Sequence, residues 1–278
     1  MKIKKLGIIA GSGILPALTA DSAIKQNVET VIYAVEEEDF SNKKHNLHLR
    51  TISKPVTITQ VGKAIKQFKK DGITHLVMIG KITKEHLFKD LKFDLKTLWM
   101  LRKLINRNDD TIFFALADEL KKNGVDILPQ DYFLKDLFLP EGVYSKKKPS
   151  AQDLKDIKYG MYYAKKMGQL DIGQTVVVRF ESVLAVEAIE GTDECIKRGG
   201  RLSRNKGAVV CKAEKAKQDA RFDVPAIGVQ TLETIKKNGA HALAFEAGKT
   251  LIVTPESVIK KANELQLILA GTSAPSKL

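Results

Sequence analysis

Residues 5–35, KLGIIAGSGILPALTADSAIKQNVETVIYAV, contain the pattern that decides the fold of the N-terminal half. An apolar run over residues 5–10 predicts a buried strand, which ends at the turn residues Gly11–Ser12–Gly13. A helix is predicted from Pro16 to about Asn27, and a second apolar run at Thr30–Val35 predicts the next strand. The order strand, turn, helix, strand predicts an α/β fold that opens with a β-α-β unit.

Glycines stand at the ends of two predicted strands in this half. A glycine-rich turn between a strand and a helix leaves backbone N–H groups free for an anion, so we expect the first turn to contact a ligand. Its residues are Gly11, Ser12 and Gly13. The dinucleotide-binding fingerprint would place a third glycine where this chain has Pro16. The strand predicted at His75–Ile79 leads to Lys81, a second candidate contact for phosphate at a strand's C-terminal end.

Length and turn composition predict two domains. A chain of 278 residues exceeds the usual size of a single domain. Proline, glycine and a run of three lysines concentrate in residues 140–150, which is typical of a domain boundary. We therefore predict an N-terminal domain over residues 1–142 and a C-terminal α/β domain over residues 143–278.

The C-terminal half alternates between helical and strand patterns. Ser150 with Asp153 predicts the start of a helix. Strands are predicted at Gln174–Phe180 and Val183–Ile189, followed by a short helix that we expect to end at Gly199–Gly200. Later elements are predicted at residues 208–212, 231–238, 241–246, 250–253, 255–265 and 267–270.

The charge balance favours anionic partners. A net charge of +13 attracts nucleic acid, phosphorylated metabolites or an anionic membrane face. Aromatic residues make up only 6% of the chain and do not alternate with basic residues, which argues against nucleic acid. The two cysteines, Cys195 and Cys211, form no disulfide framework and fit a reducing cytoplasm. No apolar run reaches the roughly 18 residues of a membrane span, so any membrane contact should be peripheral.

Residues 187–206 concentrate carboxylates beside cations. The acidic side chains are Glu187, Glu190, Asp193 and Glu194, and the basic ones are Lys197, Arg198, Arg201, Arg204 and Lys206. Carboxylates can hold a hard divalent cation, while arginine, lysine and loop amides can hold phosphate oxygens. The run Gly191–Thr192–Asp193 is typical of a turn followed by a helix N-terminus, which favours an anion.

A second polar segment follows the strand predicted at residues 208–212. Pro225 favours extended geometry before it, and in an extended segment Asp219, Arg221 and Asp223 share one face while Phe222 faces the core. The two aspartates would then lie roughly 13 Å apart, too far to share one cation unless the segment bends. A surface ladder of alternating charges is the alternative interpretation.

Seven motifs, taken in order, resemble the UDP-2,3-diacylglucosamine pyrophosphatase family of the LpxI type. They are GIIAGSGILP (7–16), MIGKI (78–82), ADEL (117–120), LPEGV (139–143), LDIGQTVVV (170–178), VLAVEAIEGTDECI (183–196) and KQDARFDVPAIG (217–228). The resemblance spans nearly the whole chain, and the last three motifs are highly specific. It implies a Rossmann-like N-terminal domain and a C-terminal α/β domain particular to the family.

The resemblance also implies an activity. Members hydrolyse UDP-2,3-diacylglucosamine to 2,3-diacylglucosamine 1-phosphate (lipid X) and UMP in lipid A synthesis, by water attack on the α-phosphorus with a divalent metal, Mg2+ or Mn2+. The enzyme would be cytoplasmic and peripheral on the inner membrane, with no nucleic acid partner, and a homodimer is left open. The family's essential aspartate lies in the QDxRFD motif, for which Asp223 is our first choice and Asp219 our second.

This reaction suggests roles for the polar residues. We assign Asp223, together with Asp219 or Glu190, to metal binding or water activation. The positive charge for phosphate is assigned to Arg221, Arg198 and Lys212. The other substrate contacts that we expect are Gly11, Ser12, Gly13, Lys81, Glu190, Gly191, Thr192, Asp193 and Gln218.

The sequence is also compatible with two other classes of protein. An NAD-dependent oxidoreductase would use the same first turn, although Pro16 in place of a third glycine argues against it. A non-catalytic nucleotide-binding or RNA-binding protein would explain the charge of +13.

Overall fold

The computed structural model describes residues 3–35, 52–57, 59–81, 94–102, 109–215 and 219–278. The chain divides into two compact units. The N-terminal unit comprises Met1–Leu134 with Ala220–Phe222, and the C-terminal unit comprises Lys135–Asp219 with Asp223–Leu278.

In the N-terminal unit, the described residues form a five-stranded parallel sheet in the order β3-β2-β1-β4-β5. Its strands are β1 (Lys5–Ala10), β2 (Glu29–Ala34), β3 (Ile52–Pro55), β4 (His75–Ile79) and β5 (Asp126–Ile127). The helices are α1 (Leu15–Lys25), α2 (Val61–Lys70), α3 (Leu95–Arg102) and α4 (Asp109–Lys122). The strand order reverses between β1 and β4, as in Rossmann-like sheets. The prediction of an α/β, Rossmann-like N-terminal fold is therefore confirmed.

The hydrophobic sequence of β1 explains its central place. Leu6, Ile8 and Ala10 are fully buried, since a parallel strand is covered on both faces and therefore requires a nearly continuous apolar run. Apolar residues of α2, among them Ile65 and Phe68, pack on one side of this sheet. The sheet thus fixes the positions at which β1 and β4 end.

In the C-terminal unit, the described residues form a six-stranded mixed sheet in the order β6-β13-β11-β9-β7-β8, together with a small β10-β12 pair. Its strands are β6 (Gly142–Val143), β7 (Thr175–Arg179), β8 (Ser182–Val186), β9 (Val209–Lys212), β10 (Ala226–Ile227), β11 (Ala242–Glu246), β12 (Leu251–Ile252) and β13 (Ile268–Thr272). The helices are α5 (Ala151–Gln169), α6 (Thr192–Leu202), α7 (Val229–Lys237) and α8 (Pro255–Glu264), and Lys135–Leu137 form one 3-10 turn. β9, β11 and β13 are parallel to one another, whereas β7 runs antiparallel to β9.

The start of α5 is determined by a local pair of side chains. The Ser150 hydroxyl accepts from the Asp153 N–H at 3.2 Å, and the Asp153 carboxylate accepts from the Ser150 N–H at 2.8 Å. This reciprocal arrangement is the capping box that the sequence predicts. The other Asp153 oxygen lies 2.6 Å from Nε2 of His241, which precedes β11, and so ties the helix start to the sheet.

The predicted end of α6 at Gly199–Gly200 is wrong, because the helix continues to Leu202. Both glycines lie inside the helix and are buried. A Cβ on Gly199 would stand 2.6 Å from Cβ of Val177 on β7, and one on Gly200 would stand 2.3 Å from the Asn238 carbonyl oxygen. The glycines therefore let α6 lie close against the sheet and do not end the helix.

Within the described ranges, no helix combines the length and the apolar character needed to cross a bilayer. Cys195 and Cys211 are both buried and unbridged.

The close approach at Gly199 can be tested with Gly199→Ala. Alanine favours a helix by about 1 kcal/mol over glycine, but overpacking a filled site costs roughly 1–3 kcal/mol. Because the new Cβ would stand 2.6 Å from Val177, we expect a net loss in the free energy of unfolding, measured by urea denaturation. Arg201→Ala, at an exposed position of the same helix, should change that free energy by less than about 0.5 kcal/mol. A more stable Gly199→Ala protein would contradict this packing.

Candidate active site

The glycine-rich turn after β1 is bonded to the end of β4. The Gly11 N–H donates to the Ile79 carbonyl at 3.0 Å, and the Ser12 N–H donates to the Lys81 carbonyl at 2.8 Å. The Lys81 N–H returns a bond to the Ser12 carbonyl at 2.9 Å. The expectation that these first two amides are free for an anion is therefore wrong.

Gly11 is required for a close approach between two backbones. A Cβ on Gly11 would lie 2.6 Å from the Lys81 carbonyl oxygen, and one on Gly80 would lie 2.7 Å from the Gly11 carbonyl carbon. Gly13 is exposed and has a φ of 98°, a conformation that favours glycine. The structure thus brings Ser12, Gly13 and Lys81 together where the strand order of the sheet reverses, the usual ligand position in such sheets.

In the C-terminal unit a polar cluster surrounds Lys212, the last residue of β9. Although it carries an ammonium group, Lys212 is only 6% exposed. Its Nζ donates to the Thr192 hydroxyl at 3.3 Å and to the Ala226 carbonyl at 3.1 Å. The Thr192 hydroxyl in turn donates to Oε1 of Glu187 at 2.9 Å. The end of β9, the start of α6 and the residue after β8 therefore meet through three linked side chains.

The electrostatics of this cluster depend on burial and on carboxylates. Burial holds the pKa of Lys212 below its ordinary value, since desolvation disfavours the charged form. Three nearby carboxylates oppose that shift: Glu187, Asp223 and Asp193. Glu187 is itself only 7% exposed, whereas Asp193 and Asp223 are exposed. The cluster thus combines one buried cation with buried and accessible anions.

An ion pair between Glu190 and Arg198 connects the loop after β8 to α6. Arg198 donates to Oε1 of Glu190 and, at 2.7 Å, to the Val186 carbonyl, while the Ala188 N–H donates to Oε2 of Glu190 at 3.1 Å. A hydrogen bond from its own backbone N–H, together with the Arg198 guanidinium, holds the pKa of Glu190 below its usual range. Both carboxylate oxygens of Glu190 already accept hydrogen bonds, so they are poorly placed to bind a metal.

The segment that contains Asp219 and Asp223 is bent, and the predicted extended geometry is wrong. The Asp223 N–H donates to the Asp219 carbonyl at 3.1 Å, which closes a turn over Ala220–Phe222. An extended segment would hold the two aspartates too far apart to share one cation, and the bend removes that objection. Among the described residues, however, no three histidine, cysteine, aspartate or glutamate side chains converge on a metal position.

Contacts within the N-terminal unit explain the turn. Phe222 stacks on Phe113 with ring centroids 5.1 Å apart, as its predicted core-facing role requires. Gln130 donates to the Ala220 and Phe222 carbonyls at 2.7 and 3.1 Å. The Arg221 guanidinium lies 5.1 Å from the Phe222 ring centroid, which is a cation–π contact.

The structure therefore gathers some of the predicted residues and not others. Thr192, Asp193, Lys212 and Asp223 belong to the Lys212 cluster, and Gly191 is the residue before α6. Ser12, Gly13 and Lys81 form a separate group in the N-terminal unit. Gln218 lies outside the described residues. The sequence assigns no role to Glu187, because no motif separates it from its acidic neighbours.

Comparisons with known proteins cover nearly the whole chain. The models of the LpxI N-terminal domain and the LpxI C-terminal domain match residues 5–137 and 140–270. The protein named UDP-2,3-diacylglucosamine pyrophosphatase LpxI of Caulobacter vibrioides is 32% identical over 280 aligned residues, which cover 97% of this chain and 98% of that protein.

One solved structure with a weak similarity is the UDP-glucose 4-epimerase of Thermus thermophilus in complex with NAD. Its identity is 12% and its TM-score is 0.28, over 53% of this chain and 41% of the epimerase chain. This chain therefore spans less than half of the epimerase.

The buried charge predicts a pH dependence of stability. Because the folded-state pKa of Lys212 is lowered from 10.5, the unfolded chain binds more protons just below that pH, and stability rises with pH there. We expect the free energy of unfolding of the wild type, relative to Lys212→Met, to rise as the pH approaches 10.5 from below. Urea denaturation across this range measures the difference.

Lys197 provides the control, because it is exposed and its hydrogen bond to Glu194 raises its pKa. The corresponding difference for Lys197→Met should stay flat below pH 10.5. A flat or falling difference for Lys212→Met would contradict the buried position of the Lys212 charge.

Proposed function

The chain belongs to the LpxI family, and from this premise we propose that it hydrolyses the pyrophosphate bond of UDP-2,3-diacylglucosamine. The products would be UMP and 2,3-diacylglucosamine 1-phosphate, formed by water attack on the α-phosphorus. The relative from Caulobacter vibrioides is named for this substrate, and the match covers 97% of the present chain.

The observation that carries the proposal is the Lys212 cluster at the C-terminal end of β9. Hydrolysis of a pyrophosphate requires a positive charge near the phosphate oxygens, an oriented water and stabilisation of the leaving phosphate. Lys212 supplies a fixed positive charge that is screened little, because the side chain is 6% exposed. Thr192 begins α6, and the partial positive charge of a helix N-terminus acts in the same direction.

Asp223 is our first candidate for the essential carboxylate. It is exposed, and its charge acts on the buried Lys212, whereas the Lys212 ammonium is tied to Thr192 and Ala226. The exposed Asp223 carboxylate beside the buried Lys212 ammonium is therefore suited to contacting a group that arrives with the substrate. Asp219, whose carbonyl accepts the Asp223 N–H, is the second candidate.

We assign Mg2+ or Mn2+ to Asp223 and Asp219. Magnesium is usually held by one or two carboxylates together with substrate phosphates, so two aspartates on one bent segment fit it. Glu190, the third predicted ligand, fits less well, since both of its oxygens accept hydrogen bonds within the protein. When bound, the metal would neutralise charge on the phosphate oxygens.

Within the N-terminal unit, we propose a nucleotide contact at the ends of β1 and β4. Ser12 and Lys81 meet where β1 and β4 end, and ligands of open α/β sheets bind at such positions. Since the Gly11 and Ser12 amides are occupied, the contact would fall to Gly13 and to the exposed Lys81 side chain.

We also propose that the enzyme acts as a peripheral protein on the cytoplasmic face of the inner membrane. Its substrate would carry two acyl chains, and a net charge of +13 draws a protein toward anionic headgroups.

Asp223→Asn tests the site assignment. We expect turnover in detergent micelles with magnesium to fall by roughly 100-fold or more, because a carboxylate that binds metal or activates water would be lost. UMP release measures the rate, and thermal denaturation verifies that the variant is folded. Asp219→Asn should cause a smaller loss.

Asp136→Asn is the matched control, since Asp136 is an exposed aspartate of the same unit. This variant, like Lys147→Ala in the exposed lysine run, should keep the wild-type rate. Wild-type turnover by folded Asp223→Asn protein would overturn the assignment.

A further inference from the structure

Two buried polar groups of the Lys212 cluster keep unused hydrogen-bonding capacity. Oε2 of Glu187 is buried and accepts no hydrogen bond from the described residues. An ammonium carries three donors, and within the same residues Lys212 uses two of them, toward Thr192 and Ala226. Buried polar atoms nearly always have partners, so each unused one requires an explanation.

The Thr192 hydroxyl bridges Lys212 and Glu187 through two hydrogen bonds. It accepts from Lys212 at 3.3 Å and donates to Oε1 of Glu187 at 2.9 Å. In the part of the chain that the structure describes, Glu187 and Lys212 form no direct ion pair. Glu187 and Lys212, which are linked through the Thr192 hydroxyl, therefore keep one unused acceptor and one unused donor among the described residues.

The hydrogen-bonding chemistry of Oε2 of Glu187 and Nζ of Lys212 limits which group could bind to both. That group must donate a hydrogen bond to a carboxylate oxygen and accept one from an ammonium. A fully ionised phosphate can only accept, and a metal cation does not accept from an ammonium. A water molecule does both, and buried waters typically satisfy such otherwise unpaired groups.

We propose that Glu187 and Lys212 hold the attacking water and that Glu187 accepts its proton. This proposal rests on the proposed hydrolysis. In the step, one proton of the water passes to Oε2 of Glu187 and the water oxygen forms a bond to the α-phosphorus. The bond from that phosphorus to the bridging oxygen breaks, and its electron pair leaves on the sugar phosphate. Glu187 is thereby a catalytic residue, and Thr192 is a positioning residue.

The backbone of Glu187 is held firmly enough for this role. Its N–H donates to the Thr175 carbonyl at 2.8 Å. A Cβ on Gly173 would stand 2.0 Å from the Glu187 carbonyl oxygen, so the segment that precedes β7 approaches as closely as a glycine allows. A base held this way is already oriented before substrate binds.

Glu246 offers a matched comparison in the same sheet. It ends β11, the strand next to β9, and is 8% exposed, nearly the same as Glu187. Both of its oxygens have partners, because Lys165 contacts them at 2.8 and 3.0 Å and the Glu214 N–H donates at 2.8 Å. Glu246 therefore has a structural role, and the unused oxygen distinguishes Glu187 from it.

The test compares Glu187→Gln with Glu246→Gln in the full-length protein. For Glu187→Gln we expect kcat for UMP release to fall roughly 100- to 10,000-fold, the usual contribution of a general base, with UMP affinity unchanged. For Glu246→Gln we expect a lower thermal midpoint, since its ion pair is lost, with kcat close to wild type. Wild-type kcat in Glu187→Gln, or equal losses of kcat in both variants, would overturn the proposal.

Chemical rescue separates proton acceptance from a structural role. Glu187→Ala leaves space for a small acid, so added formate should restore part of kcat while chloride should not. Folded Glu187→Ala protein that formate does not reactivate would contradict the role of base. Thr192→Ser should keep most of the activity, and Thr192→Val should lose more of it. Inactivity of the wild type itself would instead overturn the proposed function.

Discussion

The charge of Lys212 is the constraint on which the C-terminal unit depends. A buried ammonium is very costly unless hydrogen bonds and opposite charge compensate it. The compensation comes from distant parts of the sequence: hydrogen bonds to Thr192 at the start of α6 and to the Ala226 carbonyl in β10, and the nearby charge of Glu187 after β8. These elements must reach the end of β9 together, so the requirement that stabilises the fold also assembles the candidate site.

Glycines allow the helices and strands around β9 to approach closely enough for these residues to meet. Gly173 lets the segment before β7 lie against the Glu187 backbone, and Gly199 lets α6 lie against β7. Gly160 does the same for α5, where a Cβ would stand 2.5 Å from Sγ of Cys211 on β9. Helices and strands packed this closely have little freedom to shift, which keeps the hydrogen-bonded chain from Lys212 to Glu187 in one geometry.

Elements with a local cause could be predicted from the sequence. The Ser150–Asp153 capping box and the apolar run of β4 depend on neighbouring residues alone, and both are found as expected. Gly199 and Gly200 misled the prediction because their role is a contact with Val177 and Asn238, which no local pattern reveals. Tertiary packing of this kind overrides the intrinsic preference of glycine to end a helix.

In the candidate site, too, features with a local cause could be predicted and features that depend on tertiary packing could not. Lys212 and Thr192 could be proposed from charge and from a helix start, but their hydrogen bond depends on the register of β9 beside β7. Glu187 carries no motif that separates it from its acidic neighbours, and only the unpaired buried oxygen does so. The bend between Asp219 and Asp223 was likewise hidden, since it depends on Phe222 packing against Phe113.

The most direct test of the account is hydrolysis of UDP-2,3-diacylglucosamine micelles in oxygen-18 water, with and without magnesium, followed by mass spectrometry of both products. The account predicts metal-dependent turnover with the label in UMP, because the water attacks the α-phosphorus. Label in the sugar phosphate would contradict that attack, and no turnover by folded protein with any divalent metal would contradict the function itself.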